Sequence, residues 1–327
     1  MKNQSINLMK GIACIFVVFI HCQFPTKVGE SIVVLGRFAV PFFALVTGYF
    51  SDFDDKEKSI YISQKRLKGI IKLTILSSGI CVFLNLIVTC IQGGDWILPY
   101  LNLKTLIVFV FFNRASFLSS SMWYLFGLIY VYILWINALK WNKEKYLFFS
   151  VPFLLLANLI MTEILKLPWY VSGNFLFTLL PFFLIGNRIH RKQVKYTSKI
   201  FIGIITANIL VLMEHAFFGA SFLYISSIII AIFWLIVVKN DFIINTDIYR
   251  FCKGFCYLGE KLSMPIFVVH CGVMSIILAI IERCSIAISE WFLPFIVLFF
   301  SIVLSIIWNY IQIYGKRFGI KLKFCDK

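Results

Sequence analysis

The sequence predicts an all-α fold: a polytopic integral membrane helix bundle of about ten transmembrane helices, with both termini cytoplasmic. Three observations predict it. Apolar residues make up 61% of the 327-residue chain and charged residues only 14%, for a mean hydropathy of +0.91. Soluble domains run at roughly 45–50% apolar and 25% charged, so a soluble chain of this size could not cover its apolar surface. Lipid can cover it. The second observation is that apolar runs of about 17–25 residues recur along the chain. The third is that Lys and Arg gather in the short segments between those runs.

The runs lie at 8–24, 32–50, 70–91, 122–139, 146–162, 174–189, 199–214, 221–238, 264–282 and 292–313, and each reads as a span. A further run at 103–113 is too short to span alone and reads as re-entrant or interfacial. No internal repeat and no appended soluble domain are evident, so residues 1–327 read as a single transmembrane domain. With the N-terminus inside, 25 of the 31 Lys and Arg fall on the cytoplasmic side. The outer side keeps Lys27, Arg37, Lys104, Arg114, Lys166 and Arg283. Such a bias is the positive-inside signature, and one missed or false span would flatten it.

The net charge of +16 would suit nucleic acid. The charges punctuate apolar runs and do not line one soluble face, so no nucleic-acid partner is expected. The nine cysteines show no paired metal-ligand spacing. Cys252 and Cys256, four apart in a stretch read as a basic loop, lack the pattern of a zinc site. Free thiols and no metal are expected.

The first span, Met9 to Cys22, reads MKGIACIFVVFIHC. Lys10 and His21 are eleven residues apart, which places them within about 20° of one meridian of a helix and about 16 Å apart along its axis. An ionisable group within a span is costly and usually faces the bundle interior or a wet cavity. Histidine is also suited to proton transfer near neutral pH. A histidine three residues before Phe24 and four before Pro25 equally fits the mere end of a span, and Lys10 equally fits an inner-side charge.

KGIACIFVVFIH, a basic residue and a His with ten residues between them, resembles the opening of acyltransferase family 3, the bacterial integral-membrane acyltransferases. RFAVPFFALVTGYF, from Arg37 to Phe50, resembles the family's second span. SMWYLFGLIYVYILW, from Ser121 to Trp135, resembles the opening of a later one, and LGEKLSMPIFVVHCGVM, from Leu258 to Met274, its G-x-x-S…I-x-x-x-H segment ending in His270. The four stretches occur in the family's order over nearly the whole chain. The chain departs from the pattern at Lys10, where the family has arginine. It departs again in QKRLKGIIK, where Arg66 fits the first position of the family's R-x-x-R pair and Gly69 stands at the second. Lys keeps the charge at position 10 and loses the planar fork.

The resemblance implies transfer of an acyl group, most often acetyl, from cytoplasmic acyl-coenzyme A to a hydroxyl of a glycan or lipid-linked sugar of the envelope, in the bacterial plasma membrane. Acetyl-CoA or another acyl-CoA would be the donor. His21 would be general base or acyl carrier. Lys10, Arg66 and Lys68 would hold the donor's phosphates. His270, Arg37, Trp123 and Tyr124 are candidates for the acceptor site. Trp123 and Tyr124 fit an interfacial aromatic belt equally well, and His270 a packed core histidine. Glu163 and Glu214 could orient a histidine. His190 reads as a loop residue. The rival is a transporter or exporter of a glycan or small molecule. Coupled pumps usually carry acidic residues at mid-membrane depth, and the centres of these spans are almost free of them.

Overall fold

The computed structural model describes residues 3–51, 53, 55–192, 197–240 and 248–317. Lys2, Lys195, Lys321, Lys323 and Lys327, counted among the inner-side charges, lie outside the described residues. Every element described is helical, as a chain with no water to satisfy its backbone requires.

The chain opens with α1 (Gln4–His21), capped by the Asn3 side chain, which accepts from Ile6 N. Two eleven-residue helices, α2 (Thr26–Gly36) and α3 (Ala39–Tyr49), together fill the second expected span. The long α4 (Lys56–Gln92) follows, then the short α5 (Leu103–Phe112) and α6 (Trp123–Lys140). Next come α7 (Glu144–Leu159), the single turn α8 (Trp169–Ser172), α9 (Leu180–Arg191) and α10 (Ser198–Phe218). The chain closes with α11 (Ile225–Val238), α12 (Ile248–Tyr257), α13 (Ser263–Cys284) and α14 (Leu293–Arg317). Five-residue π-helical turns end α7, open α9 and join α12 to α13.

Among the described residues, eight helical segments are long and apolar enough to cross a membrane. The expectation of about ten differs at two places. The run at 174–189 corresponds to the π turn Phe175–Leu179 and α9 together, and that at 221–238 to α11, of 14 residues; neither is among those eight. Both are packed inside the bundle, with Leu180, Phe182, Phe183, Ala231 and Leu235 buried. Apolarity there comes from helix–helix packing, which a hydropathy run cannot tell from lipid exposure. The short run at 103–113 forms α5, of 10 residues with none buried.

Two expected loops are helices. The basic stretch before residue 70 is the first part of α4, so Arg66 and Lys68 sit on a helix. Cys252 and Cys256 lie on α12. Their charges suggest a loop only because polarity and periodicity were read together; the helix continues where the apolar run has ended.

α1 stands at the centre and packs against α2, α3, α11, α12, α13 and α14. Its contact with the π turn Leu258–Leu262 is very close. A Cβ on Gly259 would lie 1.8 Å from Asn7 O, and one on Gly11 2.3 Å from Phe255 O. The glycines of KGIA and LGEK are therefore one packing contact, in which small residues let backbones touch.

The basic residues gather at one end of the bundle. There Asn3 Nδ2 donates to Lys239 O at 2.8 Å, tying α1 to α11, and Lys56 Nζ to Asn142 Oδ1, tying α4 to the segment after α6. Arg188 lies over the Phe148 ring at 4.3 Å. His21, the last residue of α1, is at the opposite end, beside Ser120 of the segment before α6, and on that side the ends of α4 and α13 are joined by Gln92 Nε2, which donates to Glu282 Oε2 at 2.7 Å.

Candidate active site

α1 runs unbroken from Gln4 to His21, so the shared face of Lys10 and His21 is carried by one continuous helix. Its buried stripe, including Ala13, Cys14, Val17 and Val18, anchors it among its neighbours. His21 is partly exposed and meets His270 of α13, ring centroids 5.1 Å apart. His270 is buried, and its Nδ1 lies 3.0 Å from both Ile266 O and Phe267 O. Carbonyl oxygens only accept, so Nδ1 carries the proton. That leaves Nε2 as the ring nitrogen facing Cys271 Sγ, 3.2 Å away. Ser120 Oγ completes the group, 3.3 Å from Cys271 Sγ and 3.5 Å from His21 Nδ1.

Ser120 and Cys271 form part of the wall of a cavity of about 430 Å³. Asn85, Asp95, Trp96, Tyr100, Ser119 and Ser275 lie around them. Hydroxyls, an amide, a carboxylate and two aromatic side chains on one wall suit a polyhydroxylated ligand. Sequence reasoning passed over Cys271 and Ser120. Cys271 had a signal in its adjacency to His270, and Ser120 in the serine run before the SMWYLF stretch. Neither signal says which of many Cys and Ser residues the fold brings to His21.

A chain of ring contacts runs from His270 to three other candidates. Phe267 lies 6.2 Å from His270 and 5.4 Å from Tyr124, and Tyr124 lies 6.2 Å from Trp123. Trp123 meets Phe222 at 5.9 Å, and the Arg37 guanidinium stands 6.0 Å from the same Phe222 ring, its Nε buried without a hydrogen-bond partner. His270, Tyr124, Trp123 and Arg37 are thus linked in series through Phe267 and Phe222, with only His270 beside His21. Trp123 and Tyr124 are both buried, which sets them apart from an exposed interfacial belt.

At the opposite end Arg66 Nη1 donates to Ser51 Oγ at 3.1 Å. Ser51 Oγ gives its own proton to Thr47 O at 2.6 Å, so the Tyr132 hydroxyl, 2.8 Å away, is the donor to Ser51. Ser51 is buried, and Arg66 is thereby fixed against α3 and α6. Lys68 is exposed and, two residues on along the helix, faces away from Arg66. Lys10 is half-buried on α1. Arg66 and Lys68 are therefore not one grip.

Neither carboxylate considered as an orienting group stands beside His21. Glu214 Oε1 accepts from Ser226 Oγ at 2.7 Å and from Ser226 N at 3.1 Å, a cap on the start of α11. Glu163 is 3.4 Å from Lys166 Nζ. His215 approaches Glu30 at 3.9 Å and does not pair with Glu214. His190 is in the last turn of α9, against the Tyr49 ring at 4.9 Å, and not in a loop.

The arrangement offers a partly exposed imidazole beside a cavity of mixed polar and apolar lining, a second imidazole oriented by its Nδ1 proton, and a fixed guanidinium at the far end of the same bundle. No curated protein and no solved structure matches the chain. The family model of the acyltransferase domain named acyltransferase 3 matches residues 3–311, nearly the whole length, and with its helices long enough to cross a membrane the chain belongs to that family of membrane acyltransferases.

Proposed function

We propose that this protein moves an acyl group, acetyl in the first instance, from acyl-coenzyme A to a hydroxyl of an envelope glycan or lipid-linked sugar, with His21 as the reacting imidazole. The observation that carries the reading is the position of His21. It closes α1 at the edge of a cavity that offers hydroxyls, an amide and a carboxylate, on the same helical face as Lys10, with Ser120 as the bridge between imidazole and cavity wall.

The donor's phosphates bind at the basic end, where Arg66 is held ready by Ser51 and Tyr132. A charge fixed in place loses little freedom on binding. The acyl end of the donor reaches into the bundle towards His21. The acceptor enters the cavity wall of Asn85, Asp95, Trp96 and Tyr100. His21 takes the proton of the acceptor hydroxyl as the oxygen attacks the thioester carbonyl; the carbon–sulfur bond breaks, and the proton passes to the coenzyme A thiolate. In the variant path the acyl group first rests on the imidazole.

The positive-inside bias supports a bacterial plasma membrane protein with the basic end, and both termini, on the cytoplasmic side. In that orientation the donor end would face the acyl-CoA of the cytoplasm and the cavity the envelope glycans. Against a coupled transporter stands the absence of any Asp or Glu among the buried residues described. The test is mass spectrometry of the envelope glycans from cells with the protein, without it, and with the His21→Ala variant. Loss of an acetyl-sized increment in the latter two is expected; glycans identical in all three would refute the reading.

A further inference from the structure

The ligating atoms of His21, His270 and Cys271 lie within 4.8 Å of one another. We propose that these three side chains form a binding site for a thiophilic cation, with Zn²⁺ as the type, and that filling the site stops acyl transfer by occupying the lone pair of His21. The inhibition rests on the function proposed above; the binding does not.

Two imidazoles and a thiol are the donor set that borderline and soft cations prefer. Ligand atoms 2.0–2.3 Å from a tetrahedral ion stand about 3.3–3.8 Å apart. The Cys271 Sγ to His270 Nε2 distance of 3.2 Å is already close to such an edge. His270 presents Nε2 because Ile266 O and Phe267 O hold the proton on Nδ1, and a metal-binding histidine is oriented by this kind of outer contact. Ser120 Oγ, 3.3 Å from Sγ and 3.5 Å from His21 Nδ1, marks the remaining side of the group, where a fourth ligand or its water would stand.

An entry path exists. Cys271 and Ser120 belong to the cavity wall, and Asp95 on the same wall draws cations towards it. Binding displaces the thiol proton of Cys271 into solvent. A His21 nitrogen that holds a cation no longer accepts a proton from a hydroxyl, so the metal and the acyl acceptor exclude each other. The other cysteine pair, Cys252 and Cys256 on α12, stands among Arg250, Lys253 and Lys261 and offers a cation no comparable set.

The purified full chain is titrated with Co²⁺ and followed by its near-ultraviolet thiolate-to-cobalt absorption. One equivalent should produce the band, and Zn²⁺ should displace it. Cys271→Ser and His270→Gln should each weaken binding at least tenfold, while Cys252→Ser keeps the wild-type titration. Acyl transfer is then measured with added Zn²⁺, each variant against its own metal-free rate. Half-inhibition of Cys271→Ser should need at least ten times more Zn²⁺ than the wild type. A wild-type chain without the band, or a Cys271→Ser chain that keeps it, overturns the site. A band with transfer unaffected by bound Zn²⁺ overturns the inhibition. A band in a protein that transfers no acyl group supports the site and counts against the function alone.

Discussion

The rings of His21 and His270 stand 5.1 Å apart, one at the end of the first helix and the other inside the thirteenth. The Gly11–Gly259 contact puts them there. It sets α1 against the π turn that leads into α13, and about three turns further along each helix lies a histidine. The two ends of the chain meet in one site because two glycines let two backbones touch.

His21→Ala removes the group proposed to take the acceptor's proton. We expect transfer to fall by roughly 10²–10⁴-fold, the range that general acid–base groups contribute. Membrane accumulation should stay at the wild-type level, because the side chain is partly exposed and fills no core. Transfer in isolated membranes with labelled acyl-CoA measures the first, and immunoblotting the second. Full transfer by the variant would sink the assignment.

Arg66 and Lys68 should behave differently. Arg66→Ala loses a guanidinium fixed by Ser51, and we expect the KM for acyl-CoA to rise about tenfold with the acceptor KM unchanged, as for loss of one charge-assisted hydrogen bond. Lys68→Ala, on the other face of α4, should change it less than twofold. Equal effects would mean that the helix faces have been assigned wrongly.

Gly259→Ala introduces a methyl 1.8 Å from Asn7 O, a backbone atom that cannot step aside. Overpacking of this kind costs about 1–3 kcal/mol. The thermal unfolding midpoint in detergent should fall, and transfer should fall with it because the two histidines separate. Gly69→Ala is the control, since nothing lies within 4 Å of its added methyl.

Asn158→Ala tests the packing behind the acceptor side. The Asn158 amide donates to Ser172 O at 3.1 Å, Phe177 O at 3.1 Å and Thr178 Oγ1 at 3.0 Å, joining α7 to α8 and to the π turn before α9. Its loss leaves buried acceptors short of a donor, which costs roughly 1–3 kcal/mol. The variant should unfold at a lower temperature than the wild type and keep its donor KM. A donor KM shift without loss of stability would contradict this division of labour.

Much was legible along the chain because hydropathy is a local property. The membrane class, most spans and the alignment of Lys10 with His21 follow from residue order alone, since a helix converts spacing into direction. The family resemblance rested on short stretches such as KGIACIFVVFIH and LGEKLSMPIFVVH, and the match over residues 3–311 agrees with it. The runs at 174–189 and 221–238, whose helices are packed inside the bundle, show the limit. An apolar run says that a segment avoids water and is silent on whether lipid or protein surrounds it.

Sequence order thus decided which residues are apolar, which helices carry charge and which face holds His21. Tertiary structure decided that Cys271 and Ser120 stand beside that histidine, that Arg66 is braced by Ser51 and Tyr132 while Lys68 is not, and that Glu214 caps a helix instead of orienting an imidazole. The reason is physical. Direction along one helix is set by its own 3.6-residue period. Contacts between helices depend on where small residues let backbones approach, and that is a property of pairs distant in the chain.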